Sequence, residues 1–380
     1  MRASIAKWIG FSVSGLLFAA SISASAEVDS AALIRRASAG RTLYSGDQIG
    51  AMKVYQDGQL LGIESFDNRY GSSPQLVNTV VRKHLTESFA MIHEGQTEYA
   101  YIYIHGITDS AFQGKDLARS MFNAGHNVLS VRLSGHGDDT VNVDNITLEN
   151  WRDDVDAAVR LAHFMGKRVF ISGLSTGGAL AIDKAYRDRK SVDGLIGIAP
   201  AIGINNKKVN LIGALGIFGP VAYFKPRAGE ENTTQLAVRQ ARKSTHALGV
   251  LYQLGIEVQK EVQTLPPLEM PSMIASSEAD VQIDLSWVTK IIAANPGMQL
   301  LEFEKALNAP IHSGMVYDPQ YVAHKIDPNQ IEPESGQPVK LPFAALDEVN
   351  PHFDVLVERI IGVIDFDRRS TQSNVRMVTP

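Results

Sequence analysis

The sequence predicts an α/β fold built on a doubly wound, mostly parallel sheet with an inserted cap. Two observations carry this. Tyr99–Ile104 is a continuous apolar run, as strands buried on both faces are, and Val128–Val131, Val169–Ser172 and Leu195–Ala199 are further short, mostly apolar runs. These runs also alternate with helical patterns, and that order requires crossover connections and a parallel sheet.

In chain order, the strand at Tyr99–Ile104 ends at His105-Gly106. A helix is expected around 113–124, closed by Gly125, and then the strand Val128–Val131. Residues 148–165 read as a helix with Trp151, Val155, Ala158, Val159 and Ala162 on its buried stripe. The strand Val169–Ser172 leads into Gly173–Gly178 and a helix over 178–188, followed by the strand Leu195–Ala199. After an interruption come strands 272–276 and 298–303, flanking a helix at 284–294. Asn350-Pro351 opens a final helix, Asn as N-cap and Pro at the first helical position. Its apolar stripe is Phe353, Leu356, Val357, Ile360, Ile361 and Ile364.

Less regular segments complete the organisation. Residues 1–26 read as a signal peptide: Arg2 and Lys7 precede an apolar run, and Ala24-Ser25-Ala26 supplies a small-residue cleavage site before Glu27. Residues 27–98 are an N-terminal extension with the first core elements, turn signals at Asp57-Gly58 and at 71–74, and a helix expected near 75–90. Residues 99–200 form the first part of the core, 201–271 the cap, and 272–366 the second part. A Pro-rich excursion is expected at 313–348 and a tail at 367–380. The cap contains a Gly-interrupted apolar run, 209–224, suited to a mobile lid or, alternatively, to a buried structural helix.

The 380 residues are 44% hydrophobic and 20% charged, an ordinary globular composition. The net charge of −5 gives no basic nucleic-acid footprint, and zero cysteines exclude disulfides, zinc–cysteine sites and thiol nucleophiles. None of the ten histidines forms an H-x-x-x-H pair, and no Walker or dinucleotide glycine motif is placed correctly, so no metal and no cofactor is expected. Hydroxyl, carboxylate and imidazole chemistry remains.

Gly173-Leu174-Ser175-Thr176-Gly177 fits G-x-S-x-G between a strand and a helix. The turn is sharp enough to strain the serine, and a Cβ at the flanking glycines would clash. Ser175 is then a nucleophile at a helix N-terminus, where a developing oxyanion is favoured. His105-Gly106-Ile107 ends the first clear core strand. The two oxyanion amides are assigned to Ile107 and Thr176, and His105 to orienting the loop. Asp153, Asp154 and Asp156 are read as a solvated helix face.

Tyr101–Gly106, Arg132-Leu133-Ser134-Gly135-His136-Gly137 and Gly173–Gly178 together resemble serine α/β-hydrolases, most closely the monoglyceride-lipase and bacterial carboxylesterase branch. The likeness is strong over 99–200 and moderate over 272–312; Ile107 replaces the aromatic residue usual after His-Gly. It implies the α/β-hydrolase fold and a cofactor-free Ser-His-Asp enzyme acting on small-molecule or lipid carboxylic esters. In the family an aspartate follows the strand after the cap, and Asp280 matches it; Glu278 is read as a loop carboxylate. Two histidines compete for the base. His352 precedes the closing helix, whereas His312 follows the last strand and lies 32 residues beyond Asp280; His312 is chosen.

These readings make the chain an exported serine ester hydrolase, periplasmic or secreted, with transient contact between cap and membrane surface and no nucleic-acid partner. Acyl transfer by the same residues, or a non-catalytic fold that binds a lipid or partner, are the alternatives.

Overall fold

The computed structural model describes residues 53–56, 59–61, 88–93, 95–136, 145–206, 210, 211, 213, 214, 223, 224, 243–319 and 349–376. The strands are β1 (Lys53–Gln56), β2 (Gln59–Leu61), β3 (Phe89–Ile92), β4 (Thr97–Ile104), β5 (Asn127–Val131), β6 (Gly166–Leu174), β7 (Gly194–Ile198), β8 (Tyr223–Phe224), β9 (Lys243–Ser244), β10 (Ser272–Ser277) and β11 (Gln299–Phe303). The helices are α1 (Lys115–Asn123), α2 (Leu148–Met165), α3 (Thr176–Arg187), α4 (Thr245–Thr264), α5 (Leu285–Ala294) and α6 (Phe353–Arg376).

One nine-stranded sheet runs β11-β10-β7-β6-β4-β5-β3-β1-β2. The stretch from β11 to β5 is parallel, β3 is antiparallel to β5, and β1 and β2 pair antiparallel across the Asp57-Gly58 turn signal. Right-handed crossovers fix which helix covers which face. From β4 the chain steps to β5 through α1, then returns past β4 to β6 through α2, so α1 and α2 lie on opposite faces. The steps to β7, β10 and β11 continue in that second direction, which puts α3, α4 and α5 in the layer of α2. Helix α6 returns to pack beside α1. The sheet therefore reverses its winding between β4 and β6, and the crevice outside their carboxyl ends is where such sheets bind ligands.

The expected strands are present, with ends moved by one to three residues. β4 shows why both-face burial reads as an unbroken apolar run: every residue from Tyr99 to Ile104 is buried. The buried stripe of α2 is as anticipated, and its N-terminus is closed by a Thr147–Asn150 capping box. Several expectations change. Residues 111–114 form a 3-10 turn before α1. Phe89–Ile92 is a strand rather than the end of a helix; the rest of that expected helix, the turn signal at 71–74 and the signal peptide lie outside the described residues. Helix α6 starts at Phe353, because Asn350 caps a preceding turn through His352 N (2.9 Å) and Phe353 N (3.1 Å). It also runs on to Arg376, where a tail was expected from 367; buried Asp367 pairs with Arg168 on β6.

The segment 201–271 does separate two core strands, β7 and β10. Its second half, α4, packs against α3 and buries Ala247, Val250, Leu251, Leu254, Val258 and Val262. Most of the run 209–224, with Leu215 and Phe218, falls outside the described residues. Of the Pro-rich excursion expected at 313–348, residues 320–348 lie outside the described residues; beside them Asn350 donates from its side chain to Met315 O (2.9 Å) and from its amide to Tyr317 O (2.9 Å). No described helix is long and apolar enough to cross a membrane.

Helices α2, α3 and α4 are tied by charge as well as by packing. Arg152 reaches both Asp183 (2.5 Å) and Glu257 (2.6 Å), and Arg187 reaches Asp183 (2.7 Å). Glu261, one turn beyond Glu257, buries a carboxylate oxygen with no partner. Burial, with Asp183 nearby, pushes its pKa up to about 7. A carboxyl held above its unfolded value stabilises the fold most at low pH and loses that contribution as pH rises through 7. Glu261→Gln should therefore raise the melting temperature at pH 8 and leave it unchanged at pH 4, as thermal unfolding followed by circular dichroism would show.

Candidate active site

Ser175 sits at the junction of β6 and α3 with φ 58° and ψ −114°, a conformation that L side chains rarely adopt and that costs on the order of 1–3 kcal/mol. Hydrogen bonds hold it there. Its amide donates to Ile198 O (2.9 Å), and its carbonyl accepts from Ala179 N (3.0 Å) and Ala201 N (3.0 Å). The turn is possible only because the glycines let backbones meet. A Cβ on Gly177 would lie 2.0 Å from Ile104 O, and one on Gly173 would lie 2.3 Å from Gly177 C. The first turn of α3 is thus pressed against the end of β4, at the level where Ile104 pairs with Gly173.

That contact brings Ser175 beside the loop after β4: a Cβ built on Gly106 lies 3.5 Å from Ser175 Cβ. The loop is fixed by a polar network. His105 Nε2 accepts from Leu133 N (3.1 Å), which assigns the ring proton to Nδ1, and Nδ1 donates to Gly106 O (2.7 Å). Asp109 N donates to the same oxygen (3.0 Å). With Gly106 O held from one side, planarity of the trans peptide turns Ile107 N–H to the other. Gly106 N donates to Gln113 Oε1 (3.0 Å), whose amide in turn donates to Asp109 (2.6 Å). Burial, with His136 alongside, holds His105 well below the ordinary imidazole range, so it stays neutral and orients the loop.

His136, from the Arg-x-x-Gly-His-Gly segment, donates from Nε2 to Ile107 O (2.7 Å) and tightens the same loop. Its segment is held by α2, where Trp151 Nε1 donates to Ser134 O (3.1 Å) and Asp154 accepts from Ser134 N (2.6 Å). The solvated reading of Asp154 is therefore corrected. The helical period places it on the inward side of α2; burial raises its carboxyl to about 6, and the Ser134 amide supplies the partner that burial demands. Of its neighbours, Asp156 pairs with buried Lys184 (2.8 Å). Thr176 N is the first amide of α3 and has no acceptor within the helix, so both candidate oxyanion amides are at hand beside Ser175.

Asp280 lies in the turn after β10. Its Oδ1 accepts from Gln282 N (2.8 Å) and Ile283 N (3.3 Å), and its Oδ2 meets His312 Nδ1 at 2.5 Å. Both side chains are buried. Nδ1–H is thus committed to the carboxylate, and Nε2 keeps the lone pair that can take a proton. His352 is used differently: its Nε2 donates to Leu307 O (2.6 Å) and its ring stacks on Phe303. Glu278 accepts from Lys305 N (2.8 Å), a loop contact as read from the sequence. Sequence reading gave Gln113, Asp154 and Ser277 no part; only the helical period around Trp151 carried a signal, for Asp154. No cluster able to hold a metal ion occurs among the described residues.

A serine at a strained strand–helix elbow, beside a loop with oriented amides, defines an α/β-hydrolase, on the monoglyceride-lipase and esterase branch that the motifs resemble. Residues 95–284, half of the chain, match the family described as serine aminopeptidase, S33, and the chain belongs to that family. A thermostable monoacylglycerol lipase from Bacillus sp. (strain H-257) is 25% identical over 126 residues, 32% of this chain and 50% of the relative. The chain thus matches about half the length of that relative. One solved structure, from work on the metagenome-derived lipolytic enzymes LipS and LipT, matches 75% of this chain and 98% of its own. Its TM-score is 0.55 at 19% identity, a likeness of fold.

Because Gly177 touches backbone rather than a side chain that can swing aside, Gly177→Ala should cost about 3 kcal/mol or more. Urea unfolding should show this as a large fall in midpoint, or as loss of soluble protein.

Proposed function

We propose that the chain is an exported serine hydrolase that cleaves carboxylic esters, of the carboxylesterase or monoacylglycerol-lipase type. The observation that carries the reading is the buried Asp280–His312 pair, 2.5 Å apart, in a chain whose G-x-S-x-G serine occupies a strained elbow.

In this mechanism His312 Nε2 takes the Ser175 proton as Oγ attacks the ester carbonyl, and the alkoxide of the tetrahedral intermediate is met by the amides of Ile107 and Thr176. Asp280 holds the imidazole in the tautomer that leaves Nε2 unprotonated and stabilises the imidazolium that forms. Collapse expels the alcohol, which takes its proton from His312. Water, activated by the same nitrogen, then releases the acid and restores Ser175. Support for an ester substrate comes from the monoacylglycerol lipase that part of the chain resembles. Export rests on residues 1–26, and contact of the cap with a lipid surface on its Gly-interrupted apolar run.

Ser175→Ala should lower hydrolysis of an activated ester by about 10⁴-fold or more with the fold intact; more than a tenth of the activity remaining would remove Ser175 from the role. His312→Ala should abolish turnover and labelling by a fluorophosphonate, whereas His352→Ala, which loses the Leu307 bond, should cost about 1 kcal/mol of stability and keep turnover. The opposite pattern moves the base to His352. An aminoacyl arylamide belongs in the same assay, since the family description names an aminopeptidase; faster turnover of it than of esters would shift the reading to peptide bonds.

The N-terminus of protein recovered from a Gram-negative periplasm should be Glu27. Intact-mass measurement giving Met1 on cytosolic protein would end the export proposal.

A further inference from the structure

Ser277 is the last residue of β10, wholly buried, and it lies three residues before Asp280. Its hydroxyl donates to Pro310 O at 2.6 Å, two residues before His312, and accepts from Ala279 N at 3.2 Å. Its carbonyl accepts from Asp280 N at 3.0 Å. One residue therefore closes the turn that carries Asp280 and clamps the segment that delivers His312.

The clamp matters because little else joins those two segments. Among the described residues, the turn 278–283 and the segment 304–312 are otherwise linked by Lys305 N to Glu278 (2.8 Å) and by the Asp280–His312 bond itself. The Lys305 tie lies seven residues before His312, with Asn308 in a left-handed conformation between them. Pro310 has no amide to anchor its own strand of chain, and its buried carbonyl needs a donor.

Resting on the hydrolase reading above, we propose that Ser277 is a positioning residue: it sets the distance and direction of the Asp280–His312 bond by fixing Pro310 against the Asp280 turn. It touches no substrate. Without the hydroxyl, Pro310 O loses its donor and the histidine segment relaxes, so the imidazole reaches Ser175 in the right orientation less often. Displacements of this scale act on the chemical step rather than on ground-state binding.

The test compares wild type, Ser277→Ala and Ser277→Thr on a p-nitrophenyl ester, together with low-field proton spectra of each. The Nδ1–H of His312 should give a resonance downfield of the amide envelope, identified by its loss in Asp280→Asn. Ser277→Ala should shift or broaden that resonance and lower kcat about 10- to 30-fold with KM within about twofold, while Ser277→Thr restores both. A simple loss of stability would leave the resonance and kcat of the folded fraction unchanged. Should the threonine variant fail to fold, the resonance and kcat of Ser277→Ala decide alone. An unmoved resonance, or kcat within twofold of wild type, overturns the proposal. A wild type that shows the resonance but hydrolyses neither ester nor arylamide fails the hydrolase reading, and the Ser277→Ala spectrum still decides the clamp.

Discussion

The approach of Gly177 to the carbonyl of Ile104 is the constraint on which the rest of the site depends. It lets the first turn of α3 sit against the end of β4, and that contact forces Ser175 into its positive-φ conformation. The energy stored in the elbow is offset by bonds from three directions: Ile198 from β7, Ala179 from α3 and Ala201 from the chain after β7. Ala199, also at positive φ (40°), lies between two of these partners and donates to Ala275 O on β10 (2.7 Å). The strain is thus shared along the carboxyl ends of neighbouring strands, so the elbow and the sheet edge hold each other in place.

Around that contact the polar groups divide into those held neutral and those held charged. His105 and His136 are buried among carbonyls and amides, and burial keeps both below the ordinary imidazole range. They act as neutral struts, passing the position of β5 and α2 to the Gly106–Ile107 peptide. Behind α3, the opposite choice is made: Arg152 and Arg187 are set against Asp183 and Glu257. Burial alone would lower the Arg152 pKa, but the Asp183 and Glu257 carboxylates more than offset it, so the cation is secure.

What the sequence made legible follows from the range of the forces involved. The elbow was readable because its requirement is local: two glycines at fixed spacing, with a strand on one side and a helix on the other. Buried parallel strands were readable because burial on both faces leaves few polar positions in the run, and Ser130 and Ser172 spend their hydroxyls on the carbonyls of Ala111 and Ile102. Asp154 was misread because three acidic residues within four positions look like a solvated face, and only the register set by Trp151 and Val155 turns the middle one inward. The start of α6 was misplaced by two residues because Asn350 caps a turn rather than the helix. Ser277 gave no signal, since its partner Pro310 is brought near only by the pairing of β10 with β11. The choice between His312 and His352 also depended on where a distant carboxylate would lie.

The described residues on the two sides of 320–348 are joined just after His312. Met315 and Val316 are wholly buried, and Asn350, from the far side of the insertion, bonds to Met315 and Tyr317. His352 sets its ring on Phe303 and its Nε2 on Leu307 O, in the segment that leads to His312. The two histidines that the sequence left in competition thus serve one loop from opposite ends. One faces the carboxylate of Asp280, and the other holds the chain that brings it there.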